Sequence, residues 1–235
     1  MNTYIAVDIE ATGLDPKREK ILEIGALRVR EGRIEETFHT LVNPYRPLPE
    51  HIVRLTGITQ EMVKDSPDIG QTIPAFLAFC QELPLLGHRI LFDYSFLKRA
   101  AVNAGVQWER EGMDTLALCR KFMPLQEKKT LSDACMYYQV EGGDWHRALS
   151  DAQRTHLLYQ KLKERHESAC PGDFQPKLLI YHVKREQPAS KRQKERLQEL
   201  LKYHKIEAPM QIDHLTRNEA SRLTDQILSA YGRMV

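Results

Sequence analysis

Short runs of apolar and β-branched residues dominate the start of the chain. Residues 3–9, 21–30 and 33–42 each carry the apolar pattern of a strand in a largely buried sheet. Glu31-Gly32 separates the second run from the third and is a hairpin signal. We therefore expect three antiparallel strands at the start of the sheet.

After residue 60, apolar residues at helical spacing alternate with short strand-like segments. This order favours an α/β fold in which a mixed sheet is flanked by helices. The predicted elements are a helix at 69–82, a strand at 84–86, a helix from Asp93 toward Ala104, a short strand before Asp114, and helices at 115–122, 131–138 and 149–164.

Composition changes after Cys170-Pro171-Gly172. Residues 171–235 contain 12 Lys and Arg against 8 Asp and Glu, a net charge of +4, whereas residues 1–170 carry −2. Residues 177–183 are expected to form a strand or an extended linker that docks on the first domain. Two amphipathic helices should follow, the second opened by a capping box from Thr216 to Glu219. The predicted division is an N-terminal domain at 1–170, a linker or docking segment at 171–188, and a small helical C-terminal module at 189–235.

Overall composition permits a substantial core, since 42% of the 235 residues are hydrophobic. The cysteines are Cys80, Cys119, Cys135 and Cys170, and no Cys-x-x-Cys pair occurs. This spacing predicts free thiols in a reducing cytoplasm and argues against a disulfide framework or zinc site. We see no signal peptide and no run of about 18 apolar residues, so we expect a soluble, cytoplasmic protein that does not use a membrane.

Two acids interrupt the first predicted strand. Strand side chains alternate between faces, so Asp8 and Glu10 should point to one side while Val7 and Ile9 pack on the other. Gathering carboxylates is costly unless a cation or a proton offsets their repulsion. An exposed pair of strand-end acids is the ordinary alternative for an isolated Asp-x-Glu.

Two further acids fall near predicted helix starts, and each follows a histidine. Asp93 comes after His88, and Asp151 comes after His146, which should lie in the loop before the last helix of the N-terminal domain. An acid at a helix start can simply complement the helix dipole, and a lone loop histidine is more often an exposed residue than a catalyst. The repeated spacing favours a functional role.

The three ordered motifs Asp8-x-Glu10, His88-x4-Asp93 and His146-x4-Asp151 resemble the exonuclease superfamily named for its Asp-Glu-Asp-Asp residues, in its His subtype. A sister subtype carries Tyr where Arg147 stands. The resemblance covers about residues 1–168 and includes the segments 55–59, 113–120 and 129–135. The family has an RNase H-like fold, and it includes the proofreading subunit of bacterial DNA polymerase III and related RNA-trimming enzymes.

The resemblance implies a set of metal ligands and a base. Asp8 would bridge two divalent metal ions, Mg²⁺ or Mn²⁺, and Glu10 and Asp151 would complete the site on the nucleophile side. Asp93 would help to fix the other ion through water. His146 would take the proton of the attacking water, for which an ordinary pKa near 6.5 is suitable.

The resemblance also implies substrate contacts. The turn formed by Thr12, Gly13 and Leu14 would receive the terminal nucleotide. His88, Arg89 and Phe92 would also belong to the substrate-binding surface. Arg89 departs from the Asn that family members often carry. Its cation could contact a phosphate or point to solvent.

The expected function is therefore metal-dependent 3′–5′ exonuclease activity on single-stranded 3′ ends, with DNA favoured over RNA and nucleoside 5′-monophosphates as products. The alternatives are an RNA 3′-end trimming enzyme and an inactive domain that binds nucleic acid or a DNA polymerase. The basic tail, with Lys184, Arg185, Lys191, Arg192, Lys194 and Arg196, could hold nucleic acid, although such helices more often present a solvated face.

Overall fold

The computed structural model describes residues 1–141 and 147–234. The chain divides into two compact units. The first contains Met1–Pro44 and Leu48–Val183, and the second contains Tyr45–Pro47 and the residues from Lys184 onward.

A mixed sheet with the strand order β3-β2-β1-β4-β5-β6 forms the centre of the first unit. The strands β1, β2 and β3 are antiparallel, β4 and β5 continue the sheet parallel to β1, and β6 closes the edge antiparallel to β5. Their bounds are β1 Tyr4–Ala11, β2 Ile21–Arg30, β3 Arg33–Leu41, β4 Leu85–Gly87, β5 Glu111–Asp114 and β6 Lys177–Leu178. The predicted mixed α/β architecture is confirmed.

Helices cover both faces of this sheet. In the first unit they are α1 Glu50–Thr56, α2 Gln60–Val63, α3 Ile69–Cys80, α4 Ile90–Asn103, α5 Thr115–Phe122, α6 Leu131–Tyr137 and α7 Ala148–His166. The short helices α1 and α2 have no counterpart among the predicted elements. A 3-10 turn at Pro171–Phe174 precedes β6.

Two apolar cores lie on opposite faces of the sheet. One contains Ile5, Val7 and Ile9 with residues of α3 and α4, and the other contains Tyr4 and Ala6 with residues of α5, α6 and α7. Because strand side chains alternate, Asp8 and Glu10 continue the Tyr4 and Ala6 face. The acids of β1 therefore point to the side of the sheet that α7 covers.

Residues 171–183, expected to link or to dock, belong to the first unit. Lys177 pairs with Gly112 of β5, and the buried Leu179 lies so close to Gly112 that a Cβ there would meet its Cδ1 at 2.8 Å. The edge strand is thus fixed by backbone pairing and by close packing.

The second unit is built around α8 Lys191–Tyr203 and α9 Arg217–Tyr231, with a 3-10 turn at Ile212–His214. Leu197, Leu200, Leu201, Leu223 and Ile227 are among the residues of its small apolar core. Both helices begin with a complete capping box, Ser190 with Gln193 and Thr216 with Glu219. Among the helices of residues 1–141 and 147–234, none combines the length and the hydrophobicity that a membrane span requires.

Candidate active site

Three of the predicted acids meet at one point of the first unit. Asp8 and Glu10 come from β1, Asp151 comes from the first turn of α7, and one carboxylate oxygen of each lies within 4.8 Å of the others. Asp151 is buried, and its Oδ1 accepts a hydrogen bond of 2.9 Å from Nη1 of the buried Arg154.

Asp93 reaches the same region from the first turn of α4. Its side chain is buried, and its Oδ1 accepts the backbone N–H of Ile9 at 3.0 Å. Ile9 lies between Asp8 and Glu10, beyond the point where β4 stops pairing with β1. Asp93 therefore satisfies a strand N–H that has no strand partner and is fixed beside the other acids.

Burial and mutual repulsion make this cluster costly to ionise. Burial, followed by the charges of Asp93, Glu10 and Asp151, raises the pKa of Asp8 well above its ordinary value. Burial, with Asp151 and Glu23 next, raises the pKa of Glu10 to about 8, against the opposing charge of Arg147. Burial also raises the pKa of Asp93, although the Ile9 hydrogen bond acts in the opposite direction. A bound cation therefore stabilises the ionised form of such clustered, desolvated carboxylates.

Close approach of α7 to the sheet brings Asp151 to β1. Gly25 of β2 pairs with Asp8, and a Cβ at Gly25 would lie 2.1 Å from the backbone nitrogen of Leu149. Only a glycine leaves room for the first turn of α7 at this distance. The missing side chain at Gly25 is therefore a requirement for the carboxylate cluster.

A cleft of about 600 Å³ opens over the carboxylates. Besides Asp8, Glu10 and Asp151, the cleft is lined by Ile9, His88, Thr130, Leu131 and Ser132. The last three residues were not among the predicted site residues, although segment 129–135 was among those that resemble the family. This segment is a loop that ends at the N-cap Thr130 and continues as the first turn of α6 with Leu131 and Ser132, and its sequence gives no further signal of where it folds.

His88 connects the end of β4 to that loop. Its Nε2–H donates to the Lys129 carbonyl oxygen at 2.8 Å, and its Nδ1 lies 3.0 Å from the Thr115 hydroxyl. Burial lowers the pKa of His88, an effect larger than the opposing hydrogen bond to Lys129. The His88 ring thus holds one wall of the cleft through these two contacts.

Arg89 occupies a left-handed backbone position with φ of 70° at the start of α4. Its N–H donates to Asp114 Oδ1 at 2.8 Å, and its exposed guanidinium lies 6.0 Å from the ring centroid of Phe92. Asn is favoured at such positions, which gives a physical reason for its frequency in the family. Phe92 is half-buried and packs on Phe96 at 5.1 Å between ring centroids.

The turn after β1 presents one large apolar side chain to solvent. Thr12 is buried, and its hydroxyl donates to Glu19 Oε2 at 2.5 Å. Gly13 packs against the Glu19 side chain, whereas Leu14 is 78% exposed. Of these three predicted substrate residues, Leu14 offers an accessible side chain. His146, the predicted base, lies outside the described residues.

The mixed sheet and the gathered carboxylates define a nuclease domain of the RNase H-like class. The profile of the exonuclease family matches residues 5–159. The chain belongs to this exonuclease family.

Two curated relatives have names that refer to DNA polymerase III. The chain is 36% identical over 162 residues to the PolC-type DNA polymerase III of Caldanaerobacter subterraneus subsp. tengcongensis, covering 69% of this chain and 12% of that protein. It is 34% identical over 163 residues to the DNA polymerase III subunit epsilon of Aquifex aeolicus, covering 69% of this chain and 81% of that protein. The chain thus spans only about an eighth of the PolC-type protein.

Solved structures agree on the fold. Exonuclease X in complex with 5′ overhanging duplex DNA matches with 26% identity and a TM-score of 0.58, over 69% of this chain and 92% of that one. E. coli exonuclease I in complex with a dT13 oligonucleotide matches with 16% identity and a TM-score of 0.62, over 72% and 42% of the two chains. The second similarity concerns the fold alone.

Proposed function

We propose that this chain is a metal-dependent 3′–5′ exonuclease that shortens single-stranded 3′ ends, favours DNA over RNA and releases nucleoside 5′-monophosphates. The observation that carries the proposal is the group of three carboxylates from β1 and α7, with oxygens within 4.8 Å of one another at a cleft of about 600 Å³. Similarity to DNA polymerase III subunit epsilon and to exonuclease X supports DNA as the substrate.

The donor set fits hard divalent cations such as Mg²⁺ or Mn²⁺, which prefer oxygen ligands. Asp8, Glu10 and Asp151 would hold them, and Asp93 would assist. When bound, a pair of these ions would supply electrostatic stabilisation of the attacking and leaving oxygens in phosphodiester hydrolysis. The raised pKa values of Asp8, Glu10 and Asp93 support this role, because such a cluster is stabilised by positive charge.

The remaining roles fall to residues around the carboxylates. His146 would accept the proton of the attacking water, as the family resemblance implies. The exposed Leu14 would contact the terminal base together with Phe92, while Thr12 and Gly13 would contribute through the backbone of their turn. The exposed guanidinium of Arg89 would contact a backbone phosphate. A DNA polymerase is a candidate partner, since both curated relatives carry DNA polymerase III names.

Matched DNA and RNA oligonucleotides, each with a free or a blocked 3′ end, test substrate and polarity together. We expect Mn²⁺-dependent shortening of free 3′ ends, faster on DNA, and none in EDTA. Faster shortening of RNA would assign the chain to RNA trimming. Cleavage unaffected by the 3′ block would contradict the polarity, and oligonucleotide binding without any metal-dependent shortening would indicate an inactive binding domain.

A further inference from the structure

Glu23 is a fifth acid beside the carboxylate cluster, and it is held differently from the others. It lies on β2 directly opposite Glu10 of β1, so the two side chains leave the same face of the sheet. The Glu23 side chain is fully buried. A buried carboxylate at this position requires compensating donors.

Those donors come mainly from the start of α7. Arg147 donates through Nη2 to Glu23 Oε1 at 2.8 Å and through Nε at 3.1 Å, and the backbone N–H of Ala148 donates to Oε2 at 3.0 Å. His39 of β3 adds a contact of 2.6 Å to Oε1. Both carboxylate oxygens of Glu23 are thus engaged, and one of them satisfies an N–H that the first turn of α7 leaves without a helical partner.

The first turn of α7 packs on the same face of β2. Two residues beyond Glu23, Gly25 leaves the space that the first turn of α7 occupies. Asp151 lies in that turn, and its backbone N–H donates to the Arg147 carbonyl oxygen at 2.9 Å. A displacement of Arg147 or Ala148 would therefore move the Asp151 carboxylate relative to Asp8 and Glu10.

We infer that Glu23 is a positioning residue of the nuclease site, which seats the start of α7 through Arg147 and Ala148 and thereby fixes Asp151 against Asp8 and Glu10. The inference deepens the proposed function and rests on it for its catalytic consequence. Outer-shell partners of metal ligands commonly affect metal affinity or activity by about 10- to 100-fold.

Glu23→Gln is the most direct perturbation. The amide that replaces the carboxylate keeps one acceptor oxygen and turns the other into a donor, so it faces either Arg147 or the Ala148 N–H with the wrong polarity. Glu36→Gln is the matched control, since Glu36 pairs with Arg28 at 2.7 Å on the neighbouring strands but is 54% exposed. Arg147→Lys tests the same contact from its partially exposed partner, because lysine keeps the charge and loses the planar fork.

Three measurements on the full chain read out the effect. Hydrogen exchange of the amides of residues 148–155 reports the seating of α7 without any metal. Mn²⁺ titration by calorimetry reports the carboxylate cluster, and steady-state cleavage of a single-stranded oligonucleotide separates kcat from KM.

We expect Glu23→Gln to speed exchange at the start of α7, weaken Mn²⁺ binding about 10- to 100-fold, and lower kcat with KM changed less than about twofold. Arg147→Lys should act in the same direction. In the double variant the loss of Mn²⁺ affinity and of kcat should be smaller than the product of the two single losses, since both substitutions disrupt the same contact. Glu36→Gln should match the wild type.

The inference is overturned if a folded Glu23→Gln chain shows the hydrogen exchange, the Mn²⁺ affinity and the kcat of the wild type. If that variant does not fold, the same readouts on Arg147→Lys decide, and wild-type values there would overturn it equally. A wild-type chain that neither binds Mn²⁺ nor cleaves would instead refute the proposed function, while faster exchange in the variants would still support the seating of α7 by Glu23.

Discussion

Replacing Glu10 with glutamine should stabilise the metal-free protein while removing a metal ligand. Burial, Asp151 and Glu23 together raise the pKa of Glu10 to about 8 from an ordinary value of 4.5. Above pH 8 the folded chain must therefore hold an ionised carboxylate in an unfavourable environment. A neutral amide of the same shape avoids that cost.

The sign and size follow from proton linkage. Between pH 4.5 and about 8 the folded state keeps a proton on Glu10 that the unfolded state has released, so the free energy of unfolding falls as pH rises through this interval. The full rise in the pKa of Glu10, from 4.5 to about 8, corresponds to about 5 kcal/mol of unfolding free energy at about 1.4 kcal/mol per pKa unit. Because Glu10 is partly exposed and solvent screens its interactions with Asp151 and Glu23, we expect a smaller gain of about 2 kcal/mol at pH 8. In a domain of this size that is a rise in melting temperature of about 4 to 8 °C.

Thermal melts of the full chain in EDTA between pH 5 and 8.5 measure this effect. We expect Glu10→Gln and the wild type to melt alike near pH 5 and to separate as pH rises, with the variant higher. Added Mn²⁺ should stabilise the wild type at pH 8 and have a much smaller effect on the variant. Glu36→Gln, on the exposed edge of the same sheet, should follow the wild type. Equal melting of Glu10→Gln and wild type at pH 8 would refute the raised pKa of Glu10 in the folded chain.

Two further substitutions test the packing of α7 and the turn after β1. Gly25→Ala places a methyl group 2.1 Å from the Leu149 backbone nitrogen, so it should destabilise the protein by about 1 to 3 kcal/mol and reduce cleavage. Gly172→Ala, where a Cβ would have no neighbour within 4 Å, should do neither. A wild-type melting curve for Gly25→Ala would contradict the close approach of α7 to β2. Leu14→Ala should raise KM for a single-stranded oligonucleotide severalfold without changing the melting temperature. Leu178→Ala, at 59% exposure on the edge strand, should leave KM unchanged. An unaltered KM for Leu14→Ala would show that Leu14 does not contact the substrate.

Periodicity made part of this arrangement predictable. Alternation along β1 placed Asp8 and Glu10 on one face, and helical spacing placed Asp93 and Asp151 near helix starts, which the structure reproduces at α4 and α7. These features depend on local sequence, since the backbone geometry of each element fixes which side chains share a face.

Contacts between distant segments were not predictable in the same way. The hydrogen bond from Ile9 to Asp93 and the capping of α7 by Glu23 join residues 84 and 125 positions apart. Glu23 in particular is the single acid in the largely apolar run of β2, and its side chain is fully buried. Its partners are Arg147, the Ala148 N–H and His39, which the fold brings to Glu23 from the start of α7 and from β3.

The short helices α1 and α2 were missed because each has seven residues or fewer and too few turns to show an apolar period. The lining of the cleft by Thr130 and Ser132 was missed for a related reason. Small polar residues before a helix are typical of N-caps, and Thr130 indeed accepts the N–H of Asp133 at the start of α6. His88 lies 41 positions earlier in the chain and binds the Lys129 carbonyl just before these residues, a contact that the local sequence does not reveal.

We propose that the carboxylates of β1 and α7 form the metal-dependent nuclease site. The most direct test is the rate at which Asp8→Asn shortens a 5′-labelled single-stranded DNA in Mn²⁺, measured beside the wild type. We predict that the wild type releases nucleoside 5′-monophosphates from the 3′ end and that Asp8→Asn, folded and at equal concentration, is slower by more than about 100-fold, since even outer-shell losses around metal ligands reach that size. Cleavage by Asp8→Asn at the wild-type rate would show that the chemistry takes place elsewhere in the chain.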